Sequence, residues 1–366
     1  MKKIFFLATA AMILALGSCV RINYNKDSGI YESELNLDYH FDDGDTEGYQ
    51  TGGTSIDKQV KSLDIDWVQG EVVLQVWNNK NVLIEEEAMA RGTWDNSLEM
   101  CYRLDADGKL NIRYFQEGKY ELTEFHGKRL IVKVPADCKL ANVKVNSVSA
   151  DVKIDSIQGV KLEVKSYSGS VILNDIRFEE ASFSTVSGNV INEVSEEMKM
   201  DGHQGSALDV ESLSGSITLN DINFEEISLK TVSGDIYLTK ANAEKVKLET
   251  QSGDIKAEYV VADEISATTV SGDSELVSCR GKKLNNSTQS GDITVSGTRC
   301  QKAKMAAVSG DIEFDTENDG YDLKASTISG EVSCKKPAVK NGDQYTIGNG
   351  KVKVELSTLS GDILII

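Results

Sequence analysis

The chain has 366 residues, and its 58 Asp and Glu against 39 Lys and Arg give a formal net charge of −19. A surface this acidic repels phosphate backbones, so the composition argues against nucleic-acid binding and against a basic patch for acidic lipids. The net negative charge favours the binding of cations. The three histidines, His40, His126 and His203, are far apart and lie in no metal-binding or triad-like motif, so we expect no catalytic centre.

The first residues are typical of an export signal. Two lysines precede an apolar run from Ile4 to Leu16, which is too short to span a bilayer but has the length of a signal-peptide core. The run ends in Leu16-Gly17-Ser18-Cys19, which resembles the bacterial lipobox. The motif predicts that residues 1–18 are removed and that Cys19 carries the lipid. An ordinary secretory signal with a chance cysteine is the alternative.

Residues 19–57 are predicted to be the lipid-modified cysteine followed by a flexible tether. They are polar and rich in Gly and Asp, as in Asp42-Asp43-Gly44-Asp45. No second apolar run of transmembrane length follows, so we expect an exported protein held at the bacterial envelope by its lipid anchor. Because Val20 rather than Asp follows the cysteine, sorting to the outer membrane is expected in a host with two membranes. A single-membrane host stays open.

A tetrad Ser-Gly-Asp-Ile, or a close variant, recurs through the C-terminal part of the chain. It starts at Ser214, Ser233, Ser252, Ser271, Ser290 and Ser309, and every step is 19 residues. Looser copies start at Ser149, Ser168 and Ser187, again 19 apart, and two more start at Ser329 and Ser360. Steps of 27 residues after Ser187 and of 31 residues after Ser329 predict surface insertions on individual coils.

Apolar residues alternate with polar ones inside each repeat, as in Ile236 with Leu238 and Val246 with Leu248. This period of two predicts short strands with one buried face. A coil of 19 residues cannot bury its own apolar face, whereas stacked coils can, because each strand pairs with its equivalent about 4.8 Å away. We therefore predict an all-β fold, a parallel β-helix (β-solenoid) with coils of about 19 residues.

Residues 58–140 depart from the regular repeat. Ser62 to Val72 alternates like a strand, and residues 80–135 have longer apolar segments and more aromatic residues. Terminal repeats of a solenoid are commonly atypical. We predict that residues 58–140 form capping coils at the N-terminal end of the solenoid, and that residues 141–366 form the regular part.

Three features resemble the bacterial DUF4097 β-strand repeat family, whose members are labelled as candidate adhesins. They are Ile65-Asp66-Trp67 followed by Gly70-Glu71-Val72, then Leu130 to Pro135, and then the Ser-Gly-Asp-Ile series. The resemblance covers about residues 58–366 and implies a right-handed parallel β-helix in an envelope or secreted protein. It supplies no catalytic residues to carry over. The two insertions and the unusually complete repeat depart from the family pattern.

Two polar columns run through the stacked repeats. The first is a column of hydroxyls two residues before each tetrad, which we expect on the sheet surface. Its members are Ser166, Thr185, Thr231, Thr250, Thr269, Thr288, Thr327 and Thr358. The second column contains the aspartates of the tetrads. Its members are Asp235, Asp254, Asp273, Asp292 and Asp311.

The Asp column needs an explanation, because two charges about 4.8 Å apart repel by about 0.9 kcal/mol even in water. Turn chemistry is one, since Ser and Asp side chains accept turn N–H groups and salt screens exposed charges. A row of Ca²⁺ sites is a second, although the glycine-rich nonapeptide of Ca²⁺ β-rolls is missing. A polysaccharide-lyase-like cleft is a third. It would need clustered Arg or Lys, or aromatic platforms, and coils 214–330 offer almost none beside the column.

The remaining cysteines are Cys101, Cys138, Cys279, Cys300 and Cys334, without a CxxC pair. Their odd number favours small buried core residues over a disulfide framework. A Cys279–Cys300 bridge between neighbouring coils is the best disulfide candidate.

The last strand, Ile363 to Ile366, ends the chain with no obvious cap, and an open apolar edge invites pairing. Either the insertion at 335–346 folds over this edge, or the protein associates head to tail.

These patterns together predict a non-enzymatic, lipid-anchored envelope β-solenoid with a structural or adhesive role and a protein or glycan ligand. Two alternatives stay open. One is a Ca²⁺-dependent or carbohydrate-active β-helix protein. The other is an envelope sensor or regulatory partner, which the resemblance suggests because the family can sit near regulatory membrane proteins.

Overall fold

The computed structural model describes residues 21–25, 30–34, 48–89, 99–114, 127–192 and 203–366, and every regular element in them is a β-strand. The all-β prediction is therefore confirmed. Cys19 and the predicted signal segment lie outside the described residues. Within the described ranges, no helix is long and apolar enough to cross a membrane.

The described strands are numbered in chain order. They are β1 (Arg21–Asn25), β2 (Ile30–Glu34), β3 (Gln50–Thr51), β4 (Thr54–Ile56), β5 (Ser62–Trp67), β6 (Gly70–Trp77), β7 (Val82–Ala88), β8 (Cys101–Leu104), β9 (Lys109–Arg113), β10 (Lys128–Pro135), β11 (Leu140–Ser147), β12 (Asp151–Asp155), β13 (Gln158–Ser166), β14 (Val171–Asn174), β15 (Arg177–Thr185) and β16 (Val190–Asn192). They continue as β17 (His203–Ser212), β18 (Ile217–Thr231), β19 (Ile236–Thr250), β20 (Ile255–Glu258), β21 (Val261–Thr268), β22 (Ser274–Val277), β23 (Arg280–Ser290), β24 (Ile293–Ser309), β25 (Ile312–Thr316), β26 (Tyr321–Ser329), β27 (Val332–Cys334), β28 (Val339–Asn341), β29 (Gln344–Ile347), β30 (Val352–Ser360) and β31 (Ile363–Ile365).

The chain forms two compact units. The first comprises Met1–Leu173 and Ser182–Gly188, and the second comprises Asn174–Ala181 and Asn189–Ile366. The sequence suggested a boundary near residue 140, between capping and regular coils. That division between capping and regular coils stays a prediction.

In the first unit, parallel strands stack in an order that differs from their order in the chain. Strand β5 lies between β9 and β11, and β6 lies between β10 and β12, with all four pairings parallel. The strands β9 and β10 therefore lie outside β5 and β6, although they come later in the sequence. Beyond them the pairing changes, because β8 joins β9 and β7 joins β10 in antiparallel fashion.

The folded part of the first unit begins before residue 58. Strand β3 pairs with β8 and β4 pairs with β7, both antiparallel. Ile56 in β4 is buried, so β4 contributes to the core of this unit. Farther upstream, β1 and β2 form an antiparallel pair with Arg21 opposite Glu34.

The second unit shows the predicted register. Ile217 pairs with Ile236 and Ile236 with Ile255, and Ser274 then pairs with Ile293, all in parallel and 19 positions apart. The 27-residue step also keeps register, since Val190 pairs with Ile217. The buried column on one strand face contains Val246, Ile265, Leu284 and Ala303 from successive repeats. Parallel stacking at the repeat length thus makes one continuous apolar interior in this unit.

The end of the chain departs from simple stacking. Strand β30 pairs with β24 on one side and β26 on the other, while β31 lies between β25 and β27. Ile363–Ile365 is therefore an internal strand, and the prediction that it forms an open edge is wrong. The hairpin β28–β29 joins β26 in antiparallel pairing, so the 335–346 insertion covers the outer coil and not the last strand.

Candidate functional site

The turn of each repeat brings the predicted Asp residues together in a column with one shared hydrogen bond. The backbone N–H of Asp254 donates to Oδ1 of Asp235 at 2.9 Å, and that of Asp273 donates to Oδ1 of Asp254 at 2.8 Å. The same bond links Asp292 to Asp273, and Asp311 to Asp292, each at 2.8 Å. One carboxylate oxygen of each of these acceptors is thus committed to the backbone of the next coil.

The column extends past the predicted members and uses neutral acceptors where no Asp is present. Asp362 donates its N–H to Asp311 at 2.7 Å, and Glu331 donates to Asp362 at 2.7 Å. At the other end, Asn189 Oδ1 accepts from Ser216 at 2.9 Å, and the Ser216 hydroxyl accepts from Asp235 at 3.3 Å. The turn therefore requires an acceptor at this position and not a negative charge.

The geometry of the column differs from that of a metal centre. Each coil contributes a single carboxylate, and within the described residues no group of three or more His, Cys, Asp or Glu side chains is arranged to hold a metal ion. The second oxygen of Asp235 accepts a hydrogen bond from the Tyr237 hydroxyl at 3.3 Å. Binding of Ca²⁺ along the column stays a prediction to be tested.

The hydroxyl column lies inside the fold and not on the sheet surface. Thr250 donates to the carbonyl of Gly234 at 3.1 Å, and Thr269 donates to that of Gly253 at 3.1 Å. These hydroxyls satisfy the carbonyls of the turn in the preceding coil, which explains why a polar side chain occupies a buried position. The buried members of the column are Ser166, Thr185, Thr231, Thr250, Thr269, Thr288 and Thr358.

The glycine of the tetrad is required by close backbone stacking. A Cβ atom on Gly291 would lie 2.1 Å from the carbonyl oxygen of Gly272, and Gly291 has φ +146°. Both observations disfavour any L side chain. The Gly, Asp and Thr positions of the repeat therefore each perform a structural task at one turn.

The predicted cysteine pair is not bridged. Both Cys279 and Cys300 are free and buried. In the strand register Gly281, not Cys279, lies opposite Cys300, so the two cysteines are two positions out of register and too far apart for a relaxed bridge. Burial raises the pKa of each thiol to about 11, which keeps both neutral and unreactive.

A buried ion pair in the first unit was not predicted from the sequence. Lys128 Nζ lies 2.5 Å from a carboxylate oxygen of Glu86, and the two side chains are only 2% and 5% exposed. The ammonium group also donates to the carbonyl of Tyr114 at 2.5 Å and lies 4.0 Å from the centre of the Tyr114 ring and 5.1 Å from that of Trp67. Burial lowers the pKa of Lys128, and Glu86 opposes that shift.

A second charged cluster lies beside it. Arg113 is 2% exposed, and its guanidinium contacts Asp64 at 3.4 Å and Asp66 at 3.1 Å. Burial raises the pKa of Asp66 despite Arg113, whereas at Asp64 Lys109 and Arg113 outweigh burial and lower the pKa. These charges are paired with one another inside the unit.

No curated protein matches the chain. Among solved structures it is similar to a lipid-binding candidate from Parabacteroides distasonis, with 13% identity, coverage of 87% of this chain and 97% of that chain, and a TM-score of 0.33. An adhesin candidate from Bacteroides fragilis matches with 12% identity, coverage of 88% and 98%, and a TM-score of 0.26. A cell adhesion candidate from Clostridium sporogenes matches with 11% identity, coverage of 86% and 99%, and a TM-score of 0.21.

The model of the family described as Toastrack DUF4097 matches residues 60–207 and, a second time, residues 202–365. The two matches span both the atypical strands and the regular Ser-Gly-Asp repeats. The chain is therefore a member of the Toastrack DUF4097 family.

Proposed function

We propose that this protein is a non-enzymatic, lipid-anchored envelope protein, built as a parallel β-helix with coils of about 19 residues, that has a structural or adhesive binding role. The observation that supports a non-catalytic role is the repeated turn. Its conspicuous polar groups, the Asp carboxylates and the Thr hydroxyls, are engaged in hydrogen bonds from one coil to the next. Groups used in this way hold a scaffold together, and its repeated outer faces stay available for contact.

The anchor is tested by separating Triton X-114 extracts of cells that express the full chain. We expect the wild-type protein in the detergent phase and Cys19→Ala in the aqueous phase, because two or more acyl chains give stable membrane binding. Cys138→Ala is the matched control and should partition like the wild type. Identical partitioning of wild type and Cys19→Ala would contradict a lipid on Cys19.

The metal-dependent alternative is tested by thermal unfolding with Ca²⁺ and with chelator. A ligand that binds only the folded state raises the melting temperature. Because one oxygen of each Asp already accepts a backbone N–H, we expect the two curves to coincide. A Ca²⁺-dependent rise that Asp273→Asn abolishes would instead favour metal-dependent adhesion.

A further inference from the structure

The second unit has a basic patch that contrasts with the acidic chain around it. Its members are Arg280, Lys282 and Lys283 on β23 with Arg299, Lys302 and Lys304 on β24. Between residues 280 and 304 the only acidic residue is Asp292, which belongs to the Ser-Gly-Asp turn. From the sequence, almost no clustered Arg or Lys is expected in these coils beside the Asp column. The cluster is present, but on strand segments away from the turn.

Strand pairing arranges the basic patch in columns. Arg280 pairs with Arg299, and Lys283 pairs with Lys302. Lys302 pairs in turn with Lys353 of β30, which extends the lysine column to three coils. Lys283, Lys302 and Lys353 are exposed. Their backbones are about 4.8 Å apart, so the sheet presents a regular array of positive charge.

Part of this charge is neutralised, since Lys353 forms an ion pair with Asp322 at 2.7 Å. Arg280 and Arg299 share one carboxylate, Glu317, which lies 3.9 Å from each. Lys282 forms an ion pair with Asp263 at 2.6 Å. For Lys283, Lys302 and Lys304 the described part of the chain supplies no ion pair, so the centre of the patch carries an excess of positive charge.

The lysine column differs from the Asp column in what its charged groups do. Neighbouring ammonium groups about 4.8 Å apart repel by about 0.9 kcal/mol in water. In the Asp column a hydrogen bond to the next coil offsets such repulsion. Within the described residues, the side chains of Lys283 and Lys302 form no such bond. No hydrogen bond between coils offsets the repulsion between these lysines, which indicates a ligand that supplies negative charge.

We propose that the basic patch binds a linear anionic polysaccharide, a sugar chain with carboxylate or sulfate groups. The column of Lys283, Lys302 and Lys353 extends over roughly 10 Å across three coils, and all three side chains are exposed. A small anion would meet one or two of these charges, whereas an extended chain would meet a whole column. Beside Arg280 lies Val261, its strand neighbour, which is 47% exposed, and Tyr259 is 56% exposed. Such exposed apolar groups suit the flat face of a sugar ring.

The surroundings of the patch disfavour a membrane as the partner. Acidic residues adjoin its columns, because Glu264 pairs with Lys283, Glu355 pairs with Lys304 and Asp322 pairs with Lys353. These carboxylates lie within a Debye length of about 8 Å, so a planar anionic surface would also be repelled by them. A single chain can follow the columns and avoid its acidic neighbours. The inference rests on the proposed binding role and does not depend on the lipid anchor.

The test measures binding of the exported chain to heparin and polygalacturonate, which carry sulfate and carboxylate, and to uncharged dextran. Titration calorimetry compares the wild type with Lys283→Glu/Lys302→Glu and with a control, Lys139→Glu/Lys161→Glu, which changes two exposed lysines of the first unit. We expect at least one anionic polymer to bind, and this binding to weaken with salt and to fall about tenfold or more in the patch variant. The control should stay within about twofold of the wild type.

Three outcomes would overturn the proposal: no binding of either anionic polymer, equal loss in patch and control variants, or equal binding of dextran. Vesicles with phosphatidylglycerol form a further arm. If they bind through Lys283 and Lys302 while both polymers do not, the partner is a membrane and the polysaccharide proposal fails. Circular dichroism and unfolding midpoints confirm that the variants fold. The anchor and Ca²⁺ experiments do not involve the patch, so their failure is distinguishable from failure here.

Discussion

Replacement of Asp273, a central member of the Asp column, separates its hydrogen bond from its charge. Its carboxylate accepts the N–H of Asp292, and its own N–H donates to Asp254, both at 2.8 Å. Asp273→Asn removes the charge but keeps an acceptor oxygen, as Asn189 does at the equivalent position of another coil. Asp273→Ala removes both the charge and the acceptor.

The expected magnitudes follow from these contacts. Each variant removes repulsion with two neighbours, worth about 0.9 kcal/mol per pair in water and less when salt screens it. Asp273→Ala also loses a hydrogen bond worth about 0.5–1.5 kcal/mol. We therefore expect Asp273→Asn to be about 1 kcal/mol more stable than Asp273→Ala at every salt concentration. As salt increases, the free energy of unfolding of the wild type should rise relative to that of both variants, by up to about 1–2 kcal/mol.

Equilibrium urea unfolding at low and high salt measures the stability differences, and hydrogen exchange at the Asp292 amide reports the local bond. Asp137→Asn, at an exposed aspartate outside the column, controls for the loss of one negative charge. Equal stability of Asp273→Asn and Asp273→Ala would show that the acceptor does not matter. A wild-type to Asp273→Asn difference that ignores salt would refute the assumed repulsion along the column.

Three further predictions concern buried groups. Gly291→Ala should cost about 3 kcal/mol or more, seen as lost soluble yield and a lower unfolding midpoint, because its Cβ would lie 2.1 Å from a carbonyl oxygen. Lys128→Met should cost about 3–5 kcal/mol by leaving the Glu86 carboxylate buried without its cation, and Lys128→Met/Glu86→Leu should recover most of that loss in urea unfolding. The thiols of Cys279 and Cys300 have pKa values raised by burial from 9.0 to about 11. Their contribution to stability should be full below about pH 9 and decline as pH rises toward 11, and the urea midpoint of Cys279→Ala/Cys300→Ala should fall less over that range.

The regular repeats could be predicted because two signals agree there. The 19-residue step sets which residues stack, and the period of two sets which face is buried, so Ile217, Ile236 and Ile255 occupy one interior column. The same alternation also predicts that the hydroxyl column is buried. Thr250 continues the inward positions of Val246 and Leu248, so its burial could have been predicted.

Other features leave no periodic trace in the sequence. A step of 31 residues from Ser329 to Ser360 looks like an insertion, yet Ser360 pairs with both Ser309 and Ser329. Spacing alone cannot say on which side of a coil the next one lies. The Lys128–Glu86 pair could not be predicted from the sequence either. The two residues are 42 positions apart on antiparallel strands and become neighbours only through the unusual strand order of the first unit. The basic patch needed the strand register, which turns two short basic segments into columns.

The placement of β30 and β31 between earlier strands affects how this end of the second unit can come apart. Stacked repeats ordinarily fray from a free terminus, where a coil has only one neighbour. Here the terminal strands have neighbours on both sides, and the outermost coil is tied into the chain at both of its ends. Peeling would therefore have to separate the outermost coil while both of its ends are still attached to paired strands. A pulling force has to break pairing on both sides of β30 and β31 before either strand separates.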